Sequence, residues 1–164
     1  MNISLIGMSG VGKSFIGKQL ASALGYECID IDVRMEKRFG KSLQEILDEF
    51  GDTKFILEEE REVLNLTNIN RTIFAPGGSV IYSPKAMDML KSISKIIYLS
   101  APSEWIKERT DPSARGIVGL RNRSFEELYV ERQPLYERYA DVRIDVSEKD
   151  FNTILFELKT ILAA

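Results

Sequence analysis

The sequence predicts an α/β domain of three layers, with a five-stranded parallel sheet between two layers of helices. Short apolar runs rich in Ile, Val and Leu alternate with longer stretches of helical periodicity along the 164 residues. This alternation is typical of a parallel sheet whose strands are covered on both faces. Neither an internal repeat nor a linker-like change of composition divides the chain. Because the length suits one compact core, we predict a single domain over residues 1–164.

The predicted strands are the apolar runs bounded by turn-forming residues. They cover Asn2–Ile6, Cys28–Ile31, Thr72–Ala75, Lys95–Leu99 and Val142–Val146. The predicted helices are stretches in which apolar residues recur at intervals of three or four. They cover Lys13–Leu24, Ser42–Phe50, Thr53–Asn65, Pro84–Leu90, Phe125–Tyr139 and Phe151–Leu162. The segment from Thr110 to Arg123 has weak periodicity and is predicted to be a loop, and loops of that length in a compact domain are often lids.

The composition excludes several classes of function. The chain contains no histidine, which removes Ser-His-Asp chemistry, histidine-ligated zinc and imidazole bases. A net charge of −3 gives no reason to expect binding to nucleic acid or to an anionic membrane, and no apolar run approaches the roughly 20 residues that a bilayer requires. The single cysteine, Cys28, and the lack of a secretory-type leader predict a cytoplasmic protein. Size alone favours a monomer.

The strongest motif is a complete phosphate-binding loop. Residues 7–14 read GMSGVGKS, a G-x-x-x-x-G-K-S match placed between the first predicted strand and the first predicted helix. Its glycines let the backbone turn tightly and present N–H groups to phosphate oxygens at a helix N-terminus. Lys13 can reach the β- and γ-phosphates, and the Ser14 hydroxyl can bind Mg²⁺. The sequence therefore predicts a fold of the P-loop NTPase type that binds a nucleoside triphosphate.

The fourth predicted strand bears on the choice of nucleotide. The residues that follow it are Ser100-Ala101-Pro102 rather than the Asn-Lys-x-Asp pattern that reads guanine. Nothing in the sequence therefore supports guanine specificity.

Two aspartates end the second predicted strand, as Asp30-Ile31-Asp32. A spacing of two along a strand places both carboxylates on one face, and ligands bind at the carboxyl ends of the strands in such sheets. One carboxylate can then hold Mg²⁺ through water, while the other accepts a hydrogen bond or a proton from an alcohol. The alternative is a strand that simply ends at solvent.

Other candidate ligand-binding residues come later in the chain. Gly77 and Gly78 follow the third predicted strand, where they either allow close backbone approach to a ligand or only make a turn. Arg132 on a late helix is either an inward carboxylate clamp or an ordinary surface arginine. Arg109 and Arg115 lie in or beside the loop, and arginines placed there suit a lid that closes on an anion.

The order and spacing of these motifs, over nearly the whole chain, resemble the shikimate kinase family. The resemblance also includes GDTKF at residues 51–55, followed by acidic residues, and RQPLY at residues 132–136. It implies an enzyme that transfers the γ-phosphoryl group of ATP to the 3-hydroxyl of shikimate with Mg²⁺. It further implies an acceptor-binding region over about residues 33–62 and a mobile lid over residues 110–123.

The resemblance assigns roles to matching residues. The implied catalytic residues are Lys13, Asp32 and Arg115. Asp32 is expected to bind the acceptor diol and either to accept its proton or only to orient the hydroxyl. The implied ATP-binding residues are Gly10, Val11, Gly12, Lys13, Ser14, Phe15 and, near the adenine, Arg109. Acceptor binding is assigned to Asp32, Gly77, Gly78 and Arg132, of which Arg132 grips the carboxylate. Ser14 and Asp30 are assigned to the metal.

Three departures from the family pattern concern the acceptor pocket and the lid. Ile56 stands where the family has a second carboxylate-binding arginine, a loss of roughly tenfold to a hundredfold in acceptor binding unless Lys54 or Arg61 substitutes. Ser79 replaces the third of three glycines, which adds a side chain where the backbone should approach the acceptor. Arg-Gly-Ile at residues 115–117 replaces Arg-Pro-Leu, which predicts a looser lid.

Two alternatives therefore stay open at the level of sequence. One is a kinase of the same fold with a different acceptor, and the other is a nucleotide-binding regulatory module without catalysis. A nucleoside monophosphate acceptor is less favoured, because the region after the second strand is acidic and would repel a second phosphate.

Overall fold

The computed structural model describes residues 1–164 and confirms the predicted three-layer α/β fold. Five parallel strands form one sheet in the order β2-β3-β1-β4-β5. The strands are β1 (Asn2–Ile6), β2 (Glu27–Asp30), β3 (Thr72–Ala75), β4 (Ser94–Ser100) and β5 (Val142–Asp145). Strand β1 lies in the middle of the sheet and is buried along its whole length, as a strand covered on both faces should be.

Seven α-helices and two short 3₁₀-helices surround the sheet. The α-helices are α1 (Lys13–Leu24), α2 (Ile31–Phe39), α3 (Leu43–Leu64), α4 (Pro84–Ile93), α5 (Ser103–Arg109), α6 (Phe125–Tyr139) and α7 (Phe151–Ala163). The 3₁₀-helices are Gly78–Tyr82 and Pro112–Ala114. One continuous hydrophobic core joins the helices to both faces of the sheet. None of the helices combines the length and the apolar character needed to cross a bilayer.

Side chains at the helix starts explain several of the boundaries. Ser42 and Glu45 form a reciprocal capping box at the start of α3, and Ser83 accepts a hydrogen bond from the Ala86 N–H before Pro84 begins α4. Such caps satisfy backbone donors that have no partner in the first helical turn. The two helices predicted on either side of residue 51 form one element, α3, broken at Gly51, whose φ of 76° is not helical.

The sequence prediction for the second strand is wrong at its carboxyl end. Strand β2 stops at Asp30, and the chain turns at once into α2, a helix that the prediction lacks. The Asp30 carboxylate accepts a hydrogen bond from the Val33 N–H at 3.2 Å and so caps the helix. Asp30 and Asp32 therefore do not share a strand face, since Asp32 lies in the first turn of α2.

Helix α5 was also missed, and the loop prediction was nearly right. Only Ser103 and Ile106 are buried in α5, too few to give a recognisable period. From Thr110 to Arg123 the chain is irregular apart from the short 3₁₀-helix at Pro112–Ala114.

Candidate active site

The phosphate-binding loop connects β1 to α1, as the motif predicts. Gly10 and Gly12 have φ angles of 88° and 107°, in the left-handed region that favours glycine. Helix α1 begins at Lys13, so its free backbone N–H groups point into the loop. The Lys13 ammonium donates to the carbonyl oxygens of Gly7 at 2.8 Å and Met8 at 3.1 Å. The loop backbone therefore holds the Lys13 ammonium in place where a bound phosphate would contact it.

Lys13 is a buried cation whose proton is held less firmly than usual. Burial lowers the pKa of its ammonium to about 8, although the negative charges of Asp32 and Glu59 act in the opposite direction. An anion bound in the loop would restore the ordinary pKa, because it favours the charged form.

The two residues assigned to the metal meet beside the loop. The Ser14 hydroxyl donates to the Asp30 carboxylate at 2.5 Å. No group of three His, Cys, Asp or Glu side chains capable of holding a metal is present. This donor set fits Mg²⁺, which usually takes one or two protein oxygens and completes its shell with water and phosphate oxygens.

Asp32 faces the same cavity as Lys13 and Arg115. The cavity has a volume of about 240 Å³ and an almost entirely polar lining. Burial, together with the negative charge of Glu59, raises the pKa of the Asp32 carboxyl to about 7, although the positive charge of Lys13 acts in the opposite direction. A carboxyl with a pKa near neutrality can accept a proton at physiological pH.

Glu59 is a site residue that the sequence did not reveal. It lies on α3 with 1% exposure, within the run Glu58-Glu59-Glu60 that resembles an ordinary solvated charge cluster. Burial raises the pKa of its carboxyl. One oxygen, Oε1, accepts a hydrogen bond from the Ser79 hydroxyl at 2.7 Å, and the other, Oε2, is buried without a partner.

Gly77 has no room for a side chain. A Cβ at this position would lie 2.2 Å from Glu59 Oε2 and 2.8 Å from Asp32 Oδ1. The backbone therefore approaches both carboxylates closely, which supports the interpretation of this glycine as more than a turn.

Gly78 is packed against the buried arginine of α6. A Cβ on Gly78 would lie 3.1 Å from the Ser9 nitrogen and 3.2 Å from Arg132 Nη1. Its carbonyl oxygen accepts a hydrogen bond from the Tyr136 hydroxyl at 2.6 Å. These contacts join the residues after β3 to the phosphate-binding loop and to α6.

The interpretation of Arg132 as a surface residue is wrong. Its exposure is 1%. Nη2 donates to the Val118 carbonyl at 2.7 Å and Nε to the Tyr82 hydroxyl at 3.2 Å. No carboxylate lies within ion-pairing distance of the guanidinium. A buried charge without a counterion is costly, so this arrangement indicates a site for an anionic group.

Neither proposed substitute for the missing arginine reaches the pocket. The Lys54 ammonium sits over the Phe50 ring at 4.2 Å, and Arg61 pairs with Glu58 at 2.8 Å. Ile56 instead lines a cavity of about 230 Å³ together with Tyr82, Val118 and Arg123, among others. Neither Lys54 nor Arg61 therefore lies beside the buried Arg132.

The Ser79 side chain is buried and directed toward α3. Its hydroxyl is turned toward Glu59, and it is absent from the lining of the phosphate cavity. The added side chain therefore has a buried polar partner.

In the structure, Gly116 of the loop at residues 110–123 packs against the start of α3. The Gly116 N–H donates to Gln44 Oε1 at 3.1 Å, and a Cβ on Gly116 would lie 2.8 Å from the carbonyl carbon of Leu43. Gly116 has a φ of 65°, which proline cannot adopt, and proline also lacks the N–H. Glycine in place of proline therefore serves this docked conformation, which leaves Arg115 on the wall of the phosphate cavity.

A second, mainly apolar cavity lies on the other side of the phosphate-binding loop. It has a volume of about 270 Å³, and its wall includes Val11, Phe15, Trp105, Arg109 and Phe151. The Arg109 guanidinium stacks on the Trp105 ring at 3.9 Å, and the indole Nε1 is buried without a hydrogen-bond partner. An apolar slot beside a phosphate loop suits a nucleobase. Trp105 was not identified from sequence, because it lies on the unpredicted α5.

Comparison with known proteins gives one consistent family. The shikimate kinase family model matches residues 9–162. A shikimate kinase from Francisella tularensis subsp. holarctica is 37% identical over 166 residues, covering 98% of this chain and 94% of the relative. One from Chlorobium chlorochromatii is 33% identical over 167 residues, covering 95% and 87%. The structure of the Acinetobacter baumannii shikimate kinase in complex with shikimate superposes with a TM-score of 0.89 at 27% identity, covering 99% of this chain and 92% of that one.

Proposed function

The chain belongs to the shikimate kinase family, and from that premise we propose that it transfers the γ-phosphoryl group of ATP to a hydroxyl of shikimate. The observation that carries the acceptor assignment is the buried Arg132, which has no counterion. A carboxylate on the acceptor would provide one through charge-assisted hydrogen bonds.

The nucleotide spans two cavities in this proposal. Its base occupies the apolar slot beside Trp105 and Arg109, and its phosphates lie along Gly10, Gly12 and Lys13. Backbone N–H groups and the N-terminus of α1 stabilise the phosphate charge. Val11, Phe15 and Ser14 complete the assigned ATP contacts.

Ser14 and Asp30 would hold Mg²⁺, because their oxygens already meet at one point beside the phosphate loop. When bound, the ion would supply positive charge that offsets the negative charge of the phosphates. The hydrogen bond that the Val33 N–H donates to the Asp30 carboxylate fixes this carboxylate independently of the ion.

The acceptor would lie between Asp32, the backbone of Gly77 and Gly78, and Arg132. Asp32 orients the attacking hydroxyl and takes its proton as the bond to phosphorus forms. Its pKa near 7 keeps a large fraction of the carboxylate available at neutral pH. Arg132 binds the acceptor's carboxylate at the opposite end of the molecule, so the hydroxyl meets the γ-phosphate in one orientation.

Charge that builds up on the transferring group would be stabilised by Lys13 and Arg115, the two cations on the wall of the phosphate cavity. Positioning and charge stabilisation account for most of the catalysis in phosphoryl transfer. We further infer that residues 110–123 act as a lid, which excludes water that would otherwise compete with the alcohol.

The direct test is ADP release from MgATP by the purified protein, with and without millimolar shikimate, in one coupled assay. Clear stimulation by shikimate is expected. Nucleotide binding is followed separately through fluorescence of Trp105, which is the single tryptophan of the chain and lines the base cavity. Nucleotide binding without any stimulation would contradict the proposed acceptor.

One observation favours a second candidate, a kinase for another hydroxylated carboxylic acid. Ile56 makes part of the acceptor region apolar, where the family has an arginine. Screening hydroxy acids and polyols in the same assay separates the candidates by their kcat/KM values.

A further inference from the structure

Glu59 and Ser79 have no role of their own in the proposed phosphoryl transfer. Glu59 is a buried carboxylate, and Ser79 is the hydroxyl that binds it. The positive charges of Arg132 and Lys13 both act on Glu59, yet Glu59 forms an ion pair with neither. The site therefore holds a carboxylate close to the two cations that the substrates need.

A carboxylate free to turn in this position would pair with one of these cations. Glu59 Oε2 is buried and has no hydrogen-bond partner, and attraction between opposite charges is strong away from water. An ion pair between Glu59 and Arg132 would occupy the guanidinium and compete with the acceptor's carboxylate. Something must therefore fix the orientation of Glu59.

At position 56, helix α3 offers no hydrogen-bond donor that could fix the orientation of the Glu59 carboxylate. Residue 56 lies one turn before Glu59 on α3, at the i, i+3 spacing at which side chains meet. Ile56 has no polar atom in its side chain, so it cannot bind the carboxylate. The backbone of Gly77 also acts on the Glu59 carboxylate. The Ser79 hydroxyl, on the 3₁₀-helix that follows Gly77, is the side-chain donor that reaches Glu59, at 2.7 Å.

We propose that Ser79 is a positioning residue that holds the Glu59 carboxylate away from Arg132 and so keeps this guanidinium free for the carboxylate of the acceptor. The inference rests on the proposed function for the identity of the acceptor. An arginine at position 56 would bind Glu59 from the other side and make the Ser79 hydroxyl dispensable. Positions 56 and 79 are thus coupled through one carboxylate.

The test is a double-mutant cycle with Ser79→Ala and Ile56→Arg. Loss of the hydroxyl is expected to raise the KM for shikimate about tenfold, the size of one hydrogen bond to a charged group, with kcat changed less than about twofold and the KM for ATP unchanged. In the Ile56→Arg background the same Ser79→Ala change is expected to alter the KM for shikimate by less than about twofold. Equal effects in the two backgrounds would overturn the proposal.

Two control variants separate positioning from folding. Ser79→Thr keeps the hydroxyl and is expected to retain the wild-type KM. Ser4→Ala removes another buried hydroxyl, which bonds Ser94 at 2.6 Å and lines neither the phosphate cavity nor the cavity beside Ile56, and is expected to leave the KM for shikimate unchanged in both backgrounds. A Ser4→Ala variant with the same KM increase as Ser79→Ala would show that general destabilisation, not positioning, is measured.

The role of Ser79 can also be tested if shikimate is not the acceptor. If the wild-type protein shows no turnover with shikimate, the cycle is measured on the thermal unfolding midpoint. Ser79→Ala is then expected to lower the midpoint because a buried carboxylate loses its donor, and Ile56→Arg is expected to abolish that decrease. A decrease of equal size in both backgrounds would overturn the role of Ser79 irrespective of the acceptor.

Discussion

Replacing Asp32 with asparagine is expected to lower activity and raise the stability of the ligand-free protein. Burial raises the pKa of the Asp32 carboxyl from 3.8 to about 7. The folded state therefore binds a proton more tightly than the unfolded chain, and stability falls as pH rises between these two values. Asparagine occupies a similar volume without a charge, so the stability of the variant should not fall with rising pH as that of the wild-type protein does.

The magnitude follows from the size of the pKa change. A shift of roughly 3 pH units corresponds to about 4 kcal/mol at 1.36 kcal/mol per unit. Asp32 is only partly buried and faces a cavity open to water, so we expect about half of this, roughly 2 kcal/mol, above pH 7. Removal of the proton acceptor should lower kcat by about 10²–10⁴-fold.

The assay is urea unfolding of the wild-type protein and Asp32→Asn at a series of pH values without nucleotide. The difference in free energy of unfolding should grow between about pH 4 and pH 7 and then level off. Asp150→Asn is the matched control. Asp150 caps α7, and the Thr153 N–H holds the pKa of its carboxyl below the usual value, so this variant should not gain stability with rising pH. A difference between wild type and Asp32→Asn that is independent of pH would refute the reasoning.

Three further substitutions test the other parts of the site. Lys13→Ala should abolish turnover, because both the loop and the transferring phosphate lose their buried cation; substantial activity in the coupled assay would contradict the assignment. Ile56→Arg alone should lower the KM for shikimate, because a guanidinium bound to Glu59 keeps N–H donors for the acceptor's carboxylate; an unchanged or higher value would show that residue 56 does not contact the acceptor. Arg132→Lys should raise the KM for shikimate about tenfold or more, because a bidentate contact is lost; isothermal titration calorimetry with ADP should show unchanged nucleotide affinity.

Much of this molecule could be predicted from the sequence because its signals are local. The apolar run of β1 and the glycine spacing of residues 7–14 predicted a strand, a phosphate loop and a helix in order, and the bounds of α1 and α6 agree with the prediction. Helix α2 was missed for an equally local reason. Its N-cap residue, Asp30, is also the last residue of β2, and only Ile31 and Met35 of the helix are buried.

The sequence by itself determined the fold class, the phosphate loop and the likeness to one kinase family, since chain order and periodicity carry that information. Only the tertiary structure decided which polar residues share the acceptor region. Arg132 and Glu59 look like ordinary charged helix residues in the sequence, and both are buried because elements distant in the chain cover them. The same holds for Ser79, whose hydroxyl meets a carboxylate 20 residues away. Contacts between distant segments depend on how helices pack on the sheet, and no local pattern encodes them.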